Sequence, residues 1–268
     1  MRFATGILTF LVFVSAGLCQ DTDRAPGNPV NVRSLTVVSG DLPAVDRQRI
    51  VRALQGGTYP QEELGERVRQ SLRDLGYYNA QVETPHLAAI AETPLPRAAD
   101  VTIQVESGAQ YNCGDIHFQG ASLFTPDQLR RQTPLEAGSL FNATAVGKGL
   151  EGLKNLYVEK GYLNFGAIPK QEVDETHHTV DLTIDIDEGQ PYNFGKLILN
   201  GAEPRAGVGK SLLDAWKSIE GKRYNPDQLR AWLAAHTADW PGGALGLEQV
   251  ESFQSQDAHV VSIRLQLP

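Results

Sequence analysis

A glycine–lysine–serine stretch, Gly207–Ser211, has the residue types that bind phosphate in many proteins. A phosphate-binding loop requires a glycine five residues before the glycine of its Gly-Lys-Ser sequence, because its backbone amides must surround the phosphate. In this chain that position holds Pro204, which has no amide hydrogen and a restricted φ angle. The sequence therefore predicts a capped helix start here and no nucleotide cofactor.

Two adjacent histidines, His177 and His178, follow the acidic residues Asp174 and Glu175 and offer side chains of the kind that bind metals. The surrounding pattern predicts a tight turn between two strands, where adjacent side chains point apart. No third ligand stands at a spacing typical of zinc sites. We therefore expect a solvated turn, with no metal-binding residues in the protein.

Nucleophilic catalysis has no recognisable set of residues in this sequence. Neither a Gly-x-Ser-x-Gly motif nor a cysteine and histidine in a known catalytic context is present. Cys113 stands at the entry to a predicted strand, which is typical of a buried and inert thiol. The sequence predicts no catalytic residues and a protein that is not an enzyme; an exported enzyme is a third alternative.

The distribution of charge argues against two classes of partner. The formal net charge is −8, from 24 lysines and arginines and 32 aspartates and glutamates, and the basic residues are scattered along the chain. Nucleic acid binding requires basic residues clustered to neutralise phosphates, and docking on anionic lipid requires a similar cluster. We therefore expect no nucleic acid partner and no electrostatic binding to a membrane surface.

The first 19 residues have the pattern of an export signal. Arg2 precedes an apolar run from Ile7 to Val14, and the small residues Ser15–Gly17 follow it. We expect cleavage after Cys19; in the alternative, Cys19 is retained and lipidated. The polar residues 20–31 form a predicted flexible leader. No later run reaches the ~18 apolar residues of a membrane span, so no integral membrane segment is expected after signal removal.

Three stretches of the chain repeat at intervals of 80 and 81 residues. In each stretch, a first glycine ends an apolar strand. A second glycine follows later in the stretch, three residues before an aromatic residue. The strand ends are Val38-Ser39-Gly40, Phe118-Gln119-Gly120 and Leu199-Asn200-Gly201, and the glycine–aromatic pairs are Gly56 and Tyr59, Gly138 and Phe141, and Gly221 and Tyr224. Repetition at this length is typical of tandem copies of one small domain. We predict three domains, 32–110, 111–191 and 192–268, joined by very short linkers.

The middle copy shows the order of elements best. A short helix follows the opening strand at 115–119, and Asn142 caps a longer helix whose apolar positions recur every three or four residues. Gly161 ends this helix, and a second strand is predicted within 162–171. A strictly alternating strand from Val180 to Ile186 closes the copy. The predicted order is therefore β-α-α-β-β.

The other two copies have the same predicted order. The first has strands at 32–38 and 101–105 and helices near 47–54 and 60–75; the third has strands at 196–199 and 261–267 and helices near 209–219 and 226–236. We therefore predict an α+β fold of three tandem β-α-α-β-β modules, each a three-stranded mixed sheet with two helices on one face.

Two further motifs give the chain a family resemblance. The first two copies have Leu75-Gly76-Tyr77 and Lys160-Gly161-Tyr162 after the long helix, and each ends in an acidic residue and a glycine before a tyrosine, Glu106-Ser107-Gly108 with Tyr111 and Glu188-Gly189 with Tyr192. In order and spacing these motifs resemble those of polypeptide-transport-associated (POTRA) domains, the periplasmic repeats of outer-membrane barrel-assembly and secretion proteins. The resemblance covers about Val32 to Pro268. It implies structural roles for Gly76, Tyr77, Gly161 and Tyr162.

The third copy departs from the family pattern. It has no Gly-Tyr pair, because its last helix leads into Asp239–Gly243, and it stops at Pro268 without the acid–glycine–tyrosine ending. Members of the family usually continue into a membrane β-barrel, and no residues follow Pro268 here. We therefore expect a member of this family without a barrel, and pore formation is not implied.

The second strands of the first two copies are the candidate binding sites. Pro85 and Pro169 fall within them, and proline cannot donate a hydrogen bond to a neighbouring strand, so both strands are expected at sheet edges. An open edge can bind an extended peptide through main-chain hydrogen bonds, although proline also protects an edge against pairing. The candidate peptide-binding residues are Val82, Thr84, Phe165, Ala167 and Ile168.

The repeats and the resemblance together imply an exported, non-catalytic protein of the Gram-negative envelope, located in the periplasm or peripherally at the outer membrane. It would bind unfolded outer-membrane polypeptides or a barrel-assembly protein by β-strand addition, without a cofactor. The alternative is a structural spacer or oligomeric envelope component that binds no unfolded chain.

Overall fold

A computed structural model of the chain describes residues 29–89, 97–201, 207–238 and 243–267. The predicted export signal, Cys19, most of the predicted leader, Pro204 and the start of the loop at Asp239 lie outside these ranges. Within them the chain is α+β, with six α-helices and strands in three sheets. The fold class predicted from the sequence is confirmed.

Each module has the predicted strands and helices, with some additions. In the first module these are β1 (Pro29–Val38), α1 (Ala44–Leu54), β2 (Thr58–Pro60), a 3-10 turn (Gln61–Glu63), α2 (Leu64–Asp74), β3 (Gln81–Val82), β4 (His86–Ala89) and β5 (Arg97–Glu106). In the second they are β6 (Asn112–Gln119), α3 (Pro126–Arg130), α4 (Ala143–Val158), β7 (Gly166–Asp174) and β8 (Thr179–Asp187). In the third they are β9 (Asn193–Asn200), α5 (Val208–Trp216), α6 (Pro226–His236), a 3-10 turn (Leu247–Gln249), β10 (Glu251–Ser255) and β11 (Val260–Gln266).

The closing strand lies in the middle of each sheet. The strand orders are β2-β1-β5-β3 with β4 also on β5, then β6-β8-β7, then β10-β11-β9. The closing strand runs parallel to the opening strand in the first and third sheets and antiparallel to the second strand. These sheets are mixed, and the second strand of every module lies at an edge, which the prolines predicted for the first two modules.

A short return segment beside each opening strand explains the repeated glycine–aromatic pairs. Gly56 has a φ of 82°, a left-handed value that suits glycine, and its amide donates to the Val32 carbonyl at 2.7 Å. The chain then runs back along β1 as β2, a strand that the sequence pattern did not reveal. Gly138 bonds to Cys113 in the same way at 2.7 Å, and Gly221 bonds to Phe194 at 2.8 Å.

Several boundaries differ from those predicted. β1 begins at Pro29 rather than Val32, because β2 pairs with Pro29–Asn31 and draws the end of the predicted leader into the sheet. The second strand of the first module is divided into β3 and β4. The third module has the second strand that its predicted order requires, β10, but the sequence did not locate it, because its residues are all exposed and lack an apolar alternation.

Buried apolar side chains from helices and strands form the cores. In the first module, Ile50 of α1 and Leu72 of α2 pack in one cluster with Ile103 of β5. In the third, Trp216 and Trp232 are buried and pack edge to face with ring centroids 4.9 Å apart. The predicted stripe of the second module is buried throughout, at Val146, Leu150, Leu153 and Tyr157.

Residue contacts divide the chain into two compact units. One comprises the described residues up to Phe118 with Thr133–Gly149 and Ile168–Ile184; the other comprises Gln119–Gln132, Leu150–Ala167 and the described residues from Asp185 onward. Residues of the second module therefore belong to both units. The boundaries of three separately folding domains stay a prediction.

A left-handed glycine joins the end of α4 to the beginning of the third module. Gly161 has a φ of 85°, and its carbonyl accepts a hydrogen bond from the Tyr192 amide at 2.8 Å. The Tyr192 carbonyl accepts in turn from the Tyr224 amide at 2.9 Å. The Asn225 side chain donates to the carbonyl of Glu159 at 2.9 Å. We call this set of contacts the glycine–tyrosine joint.

The same joint occurs 81 to 85 residues earlier in the chain. Gly76, also at a φ of 85°, accepts from the Tyr111 amide at 2.8 Å, and the Tyr111 carbonyl accepts from Phe141 at 2.9 Å. The Asn142 side chain donates to the carbonyl of Asp74 at 3.0 Å, as Asn225 does at the later joint. The repeated backbone geometry accounts for the structural roles that the sequence assigned to the two glycines.

Each joint tyrosine is also held through its ring and hydroxyl group. Asn79 donates to the Tyr111 hydroxyl at 3.1 Å, and Asn164 donates to the Tyr192 hydroxyl at 2.8 Å. His178 packs edge to face on Tyr111 with centroids 5.4 Å apart, and its carbonyl accepts from Asn112. The corresponding contacts in the third module are made by His259, which packs edge to face on Tyr192 and accepts from Asn193.

A carboxylate fixes the loop that follows the opening strand of the second module. Glu188 accepts hydrogen bonds from the amides of Ser122 and Leu123 at 2.7 and 2.8 Å and from the Tyr157 hydroxyl at 2.8 Å. Burial alone would raise the pKa of Glu188, but these hydrogen bonds outweigh it and lower the pKa to about 2. The carboxylate therefore stabilises the fold in its ionised form.

The first module makes the corresponding connection with an acid on the opposite loop. Asp41 follows β1 and accepts from the amides of Ser107 and Gly108 at 3.2 and 3.0 Å. The Ser39 hydroxyl also donates to it at 2.6 Å, and these bonds hold the pKa of Asp41 far below its usual value. In both modules a carboxylate thus connects the loop after the opening strand to the loop after the closing strand. The acid lies after the closing strand in the second module and after the opening strand in the first.

We expect Gly161→Ala to lower the free energy of unfolding by more than about 2 kcal/mol. The left-handed φ opposes any side chain, and a Cβ atom would lie 2.9 Å from the carbonyl oxygens of both Tyr192 and Tyr224. Gly138→Ala is the matched control, because its φ is 81° with no atom within 4 Å of the added Cβ, and it should cost about 1 kcal/mol. Chemical denaturation measures both, and equal costs would contradict a role for the joint contacts.

We expect the melting temperature of Glu188→Gln to depend less on pH in acid than that of the wild type. The folded pKa of about 2 lies below the ordinary value of 4.5, so the carboxylate contributes stability that is complete above pH 4.5 and disappears as the pH falls toward 2. Melting temperatures measured between pH 5.5 and 2 should therefore fall less steeply in Glu188→Gln than in the wild type. Glu151→Gln on the exposed side of α4 is the control and should follow the wild-type curve; identical curves for all three proteins would refute the assignment.

Candidate peptide-binding edges

The second-strand edge of the first module consists of β3 and β4. Both pair antiparallel with β5 and, among the described residues, with no other strand. Val82 pairs with Val105 and His86 pairs with Thr102, so three residues of the edge oppose two of β5. Pro85 lies in this bulge between the strands, rather than within a continuous strand as the sequence suggested. Pro85 has no amide hydrogen to donate, and the bulge places it where the hydrogen bonds between the edge and β5 are already interrupted.

A groove of about 540 Å³ runs beside this edge. One wall is formed by α2 and the preceding 3-10 turn, and the other by the edge residues Val82, Glu83, Thr84, Pro85 and Leu87. Val82 and Leu87 are half-buried against the core, and Thr84 is exposed. The candidate residues Val82 and Thr84 therefore lie together on one edge and one groove.

The walls of this groove, which we call the second-strand groove, are mainly acidic. Glu62 and Glu66 line it from the helix side and Glu83 from the edge. The one basic side chain on the walls, Arg69, is paired with Glu66. Sequence reasoning missed this acidic wall, although the spacing of four between Glu62 and Glu66 indicates that they share a helix face.

The candidates in the second module do not form a single row. Phe165 precedes β7 and stacks on Tyr157 at a centroid distance of 4.3 Å, so it is a packing residue rather than part of the edge strand. Ala167 lies in β7 and is half-buried, whereas Ile168 is 53% exposed. Pro169 lies within β7 and is buried. Ile168 and Val173, which is 37% exposed, are thus the large apolar side chains that β7 exposes.

The glycines of the Gly76-Tyr77 and Gly161-Tyr162 pairs belong to the joints, and their tyrosines lie outside the edge strands. The Tyr77 hydroxyl donates to the buried Asp46 carboxylate at 2.8 Å, and burial followed by this bond raises the pKa of Tyr77 to about 12. Tyr162 is half-buried and packs edge to face on Tyr157 with centroids 6.0 Å apart. Their contacts are those of structural residues.

The residues considered for metal and thiol chemistry are dispersed. His177 approaches Asp174 to 2.7 Å, and this contact raises the histidine pKa, while His178 belongs to the joint at Tyr111. Cys113 is buried. In the described ranges no three histidine, cysteine or acidic side chains are grouped to hold a metal, and no helix is long and apolar enough to cross a membrane. The absence of cofactors stays a prediction.

Comparison with known proteins agrees with this fold. Residues 111–189 match the family profile of POTRA, the surface antigen variable number repeat. The outer membrane protein assembly factor BamA of Neisseria meningitidis is 25% identical over 171 residues, which are 59% of this chain and 20% of BamA. A second relative is a Treponema pallidum protein whose name describes it provisionally as an outer membrane protein assembly factor. It is 25% identical over 129 residues, which are 48% of this chain and 15% of that protein.

Among solved structures, the POTRA domains 3–5 of Haemophilus influenzae BamA superpose on the chain with a TM-score of 0.59. The match has 18% identity and covers 89% of this chain and 96% of that one, so it supports the fold. The chain spans about a fifth or less of the length of the curated relatives it matches. The profile match is confined to 111–189, and the superposition shows that the β-α-α-β-β modules share the fold of POTRA domains.

Proposed function

We propose that this protein is an exported, non-catalytic repeat protein of the periplasm that binds polypeptides during outer membrane protein assembly. The open edge formed by β3 and β4, with the second-strand groove beside it, is the observation that carries this proposal. The names of the two curated relatives support the same process. Its partners are unfolded outer-membrane polypeptides or a barrel-assembly protein.

Binding proceeds by addition of a strand to the edge. An incoming segment pairs its main chain with β3 and β4, and every second side chain enters the groove beside α2. Main-chain pairing requires no particular sequence, but the acidic wall of Glu62 and Glu83 favours segments with basic or neutral side chains at the groove positions. The site therefore selects by conformation and charge.

β7 provides a second edge of the same kind. Its exposed Ile168 gives an added strand an apolar neighbour, and Ala167 leaves room for a larger side chain beside it. Pro169 interrupts donation from the strand at one position only, since proline lacks one amide hydrogen. Affinity at either edge should be weak, about tens to hundreds of micromolar, because ordering a disordered chain offsets much of the gain.

A structural spacer is the second candidate function. The repeated glycine–tyrosine joint supports it, because both joints fix the chain through the same backbone hydrogen bonds. A spacer requires such joints but does not require an open edge beside a groove. In this reading the three predicted domains, 32–110, 111–191 and 192–268, hold other envelope components at a set distance.

The second-strand groove can be tested by filling it. Gly65 lies on its wall, and an added Cβ atom would lie an ordinary 3.7 Å from Pro85 Cδ. We expect Gly65→Trp to fill the groove and weaken binding of an extended peptide of alternating valine and glutamine by at least about tenfold. The control Gly65→Ala should bind as the wild type does. Fluorescence anisotropy measures the affinities, and circular dichroism confirms that both variants fold.

Amide chemical shifts then separate the two functions. Perturbations at 81–87 or along β7 on adding the peptide support strand addition. Perturbations confined to the helices would contradict it, and no binding at millimolar peptide would leave the spacer as the function.

A further inference from the structure

The outer side of β1 is a second open edge of the first sheet. β2 pairs only with Pro29–Asn31, and Val32 is satisfied by the following turn through the amide of Gly56 and the carbonyl of Gly57. The side chain of Gln55 then donates to the carbonyl of Arg33 at 3.0 Å. Within the described ranges, β5 is the only strand paired with the remainder of β1, so its other side is open from 34 to 38.

A groove of about 780 Å³ lies between this open side and α1. Leu35, Thr36 and Val37 form the strand wall. The helix wall is one face of α1, because its residues follow one another at alternating intervals of three and one positions along the chain. These residues are Ala44, Arg47, Gln48, Val51, Arg52 and Gln55. We call it the opening-strand groove. It is larger than the second-strand groove and lies beside the other edge of the same sheet.

The charge of this groove is positive. Arg47 and Arg52 line it and no carboxylate does. Among the other charged groups around α1, Asp46 is turned into the core toward the Tyr77 hydroxyl, and Arg49 pairs with Asp46 outside the groove. Asp41, before the helix, is bonded to the amides of Ser107 and Gly108. The acids nearest in sequence are therefore engaged elsewhere.

Arg47 has hydrogen-bonding capacity that its surroundings do not use. One terminal nitrogen donates to the Leu42 carbonyl at 3.2 Å, which fixes the guanidinium beside the groove. Its Nε atom is buried and has no hydrogen-bond partner among the described residues. The Arg47 side chain lines the groove, so its guanidinium places a positive charge there that an entering carboxylate can bind. Arg52 is exposed on the same wall one helical turn later.

We propose that the opening-strand groove binds an extended segment of a partner polypeptide that has acidic side chains at every second position. The segment pairs its main chain with the open side of β1, and its groove-facing carboxylates bind Arg47 and Arg52. The side chain of Val38, 46% exposed at the end of the strand, gives the segment an apolar contact on the other face. This site lies at the opposite edge from the one in the proposed function and selects the opposite charge, so one module binds two kinds of chain.

The test uses a fluorescent nine-residue peptide of alternating valine and glutamate, with a valine–lysine peptide of the same length as competitor. Anisotropy titrations of the exported chain at low salt should show binding of the glutamate peptide and no displacement by the lysine peptide. Added salt should weaken the complex, because the contacts are between exposed charges. Displacement of the glutamate peptide by an equal concentration of the lysine peptide, or no binding of the glutamate peptide at all, would overturn the proposal.

Variants locate the site. Arg47→Gln combined with Arg52→Gln should raise the dissociation constant of the glutamate peptide by at least about tenfold. Arg52→Gln alone should raise it several-fold, and since Arg52 is exposed, this variant tests the site even where the double variant fails to fold. Arg49→Gln on the other side of α1 and Gly65→Trp in the second-strand groove are the matched controls and should leave the affinity unchanged.

Amide chemical shifts complete the test. The glutamate peptide should perturb 34–38 and α1 and leave 81–89 unperturbed. Perturbations at 81–89, or a loss of affinity in Gly65→Trp, would show that the peptide binds at the second-strand edge and would overturn this proposal without affecting the proposed function.

Discussion

A left-handed glycine after α2 and another after α4 govern how one module passes into the next. At Gly161 the chain reverses with a φ that other residues rarely adopt, and the freed carbonyl accepts the amide of Tyr192. The main chain of that tyrosine is then held on both sides, since its carbonyl accepts from Tyr224 in the following return segment. One backbone hydrogen bond thus connects a helix end, a module boundary and the next sheet, and Gly76 and Tyr111 repeat it.

The open edges follow from the position of the closing strand. A closing strand in the middle of a three-stranded sheet pairs on both sides, so the opening and second strands each keep one unpaired side. The first module limits this exposure with β2 on one edge and a bulge containing Pro85 on the other. In the first module the sections that stay open lie beside the two grooves, and for this reason we propose that each edge and its groove form one binding surface.

The sequence predicted the fold better than the site. The Gly-Tyr pairs, the capped helix after Asn142 and the alternation from Val180 to Ile186 are local patterns with direct structural causes, and all three appear as predicted. The strand β10 has no such pattern, because exposed residues on an edge are not constrained by a core. Phe165 was placed on an edge because it fell within the predicted second strand that contains Pro169, but its stacking on Tyr157 depends on a contact that strand periodicity cannot reveal.

Charge near the edges was beyond sequence reasoning for a different reason. With a net charge of −8 and scattered basic residues, the chain as a whole shows no preference for a charged partner. The first module separates the charges locally, because the 3-10 turn and α2 place Glu62 and Glu66 beside one edge while α1 places Arg47 and Arg52 beside the other. The net charge of the chain sums the charges of both surfaces and therefore does not reveal either one. In the proposed binding mode, the helix beside each edge would supply selectivity for a bound chain, and the main chain of the edge would supply the affinity that both sites share.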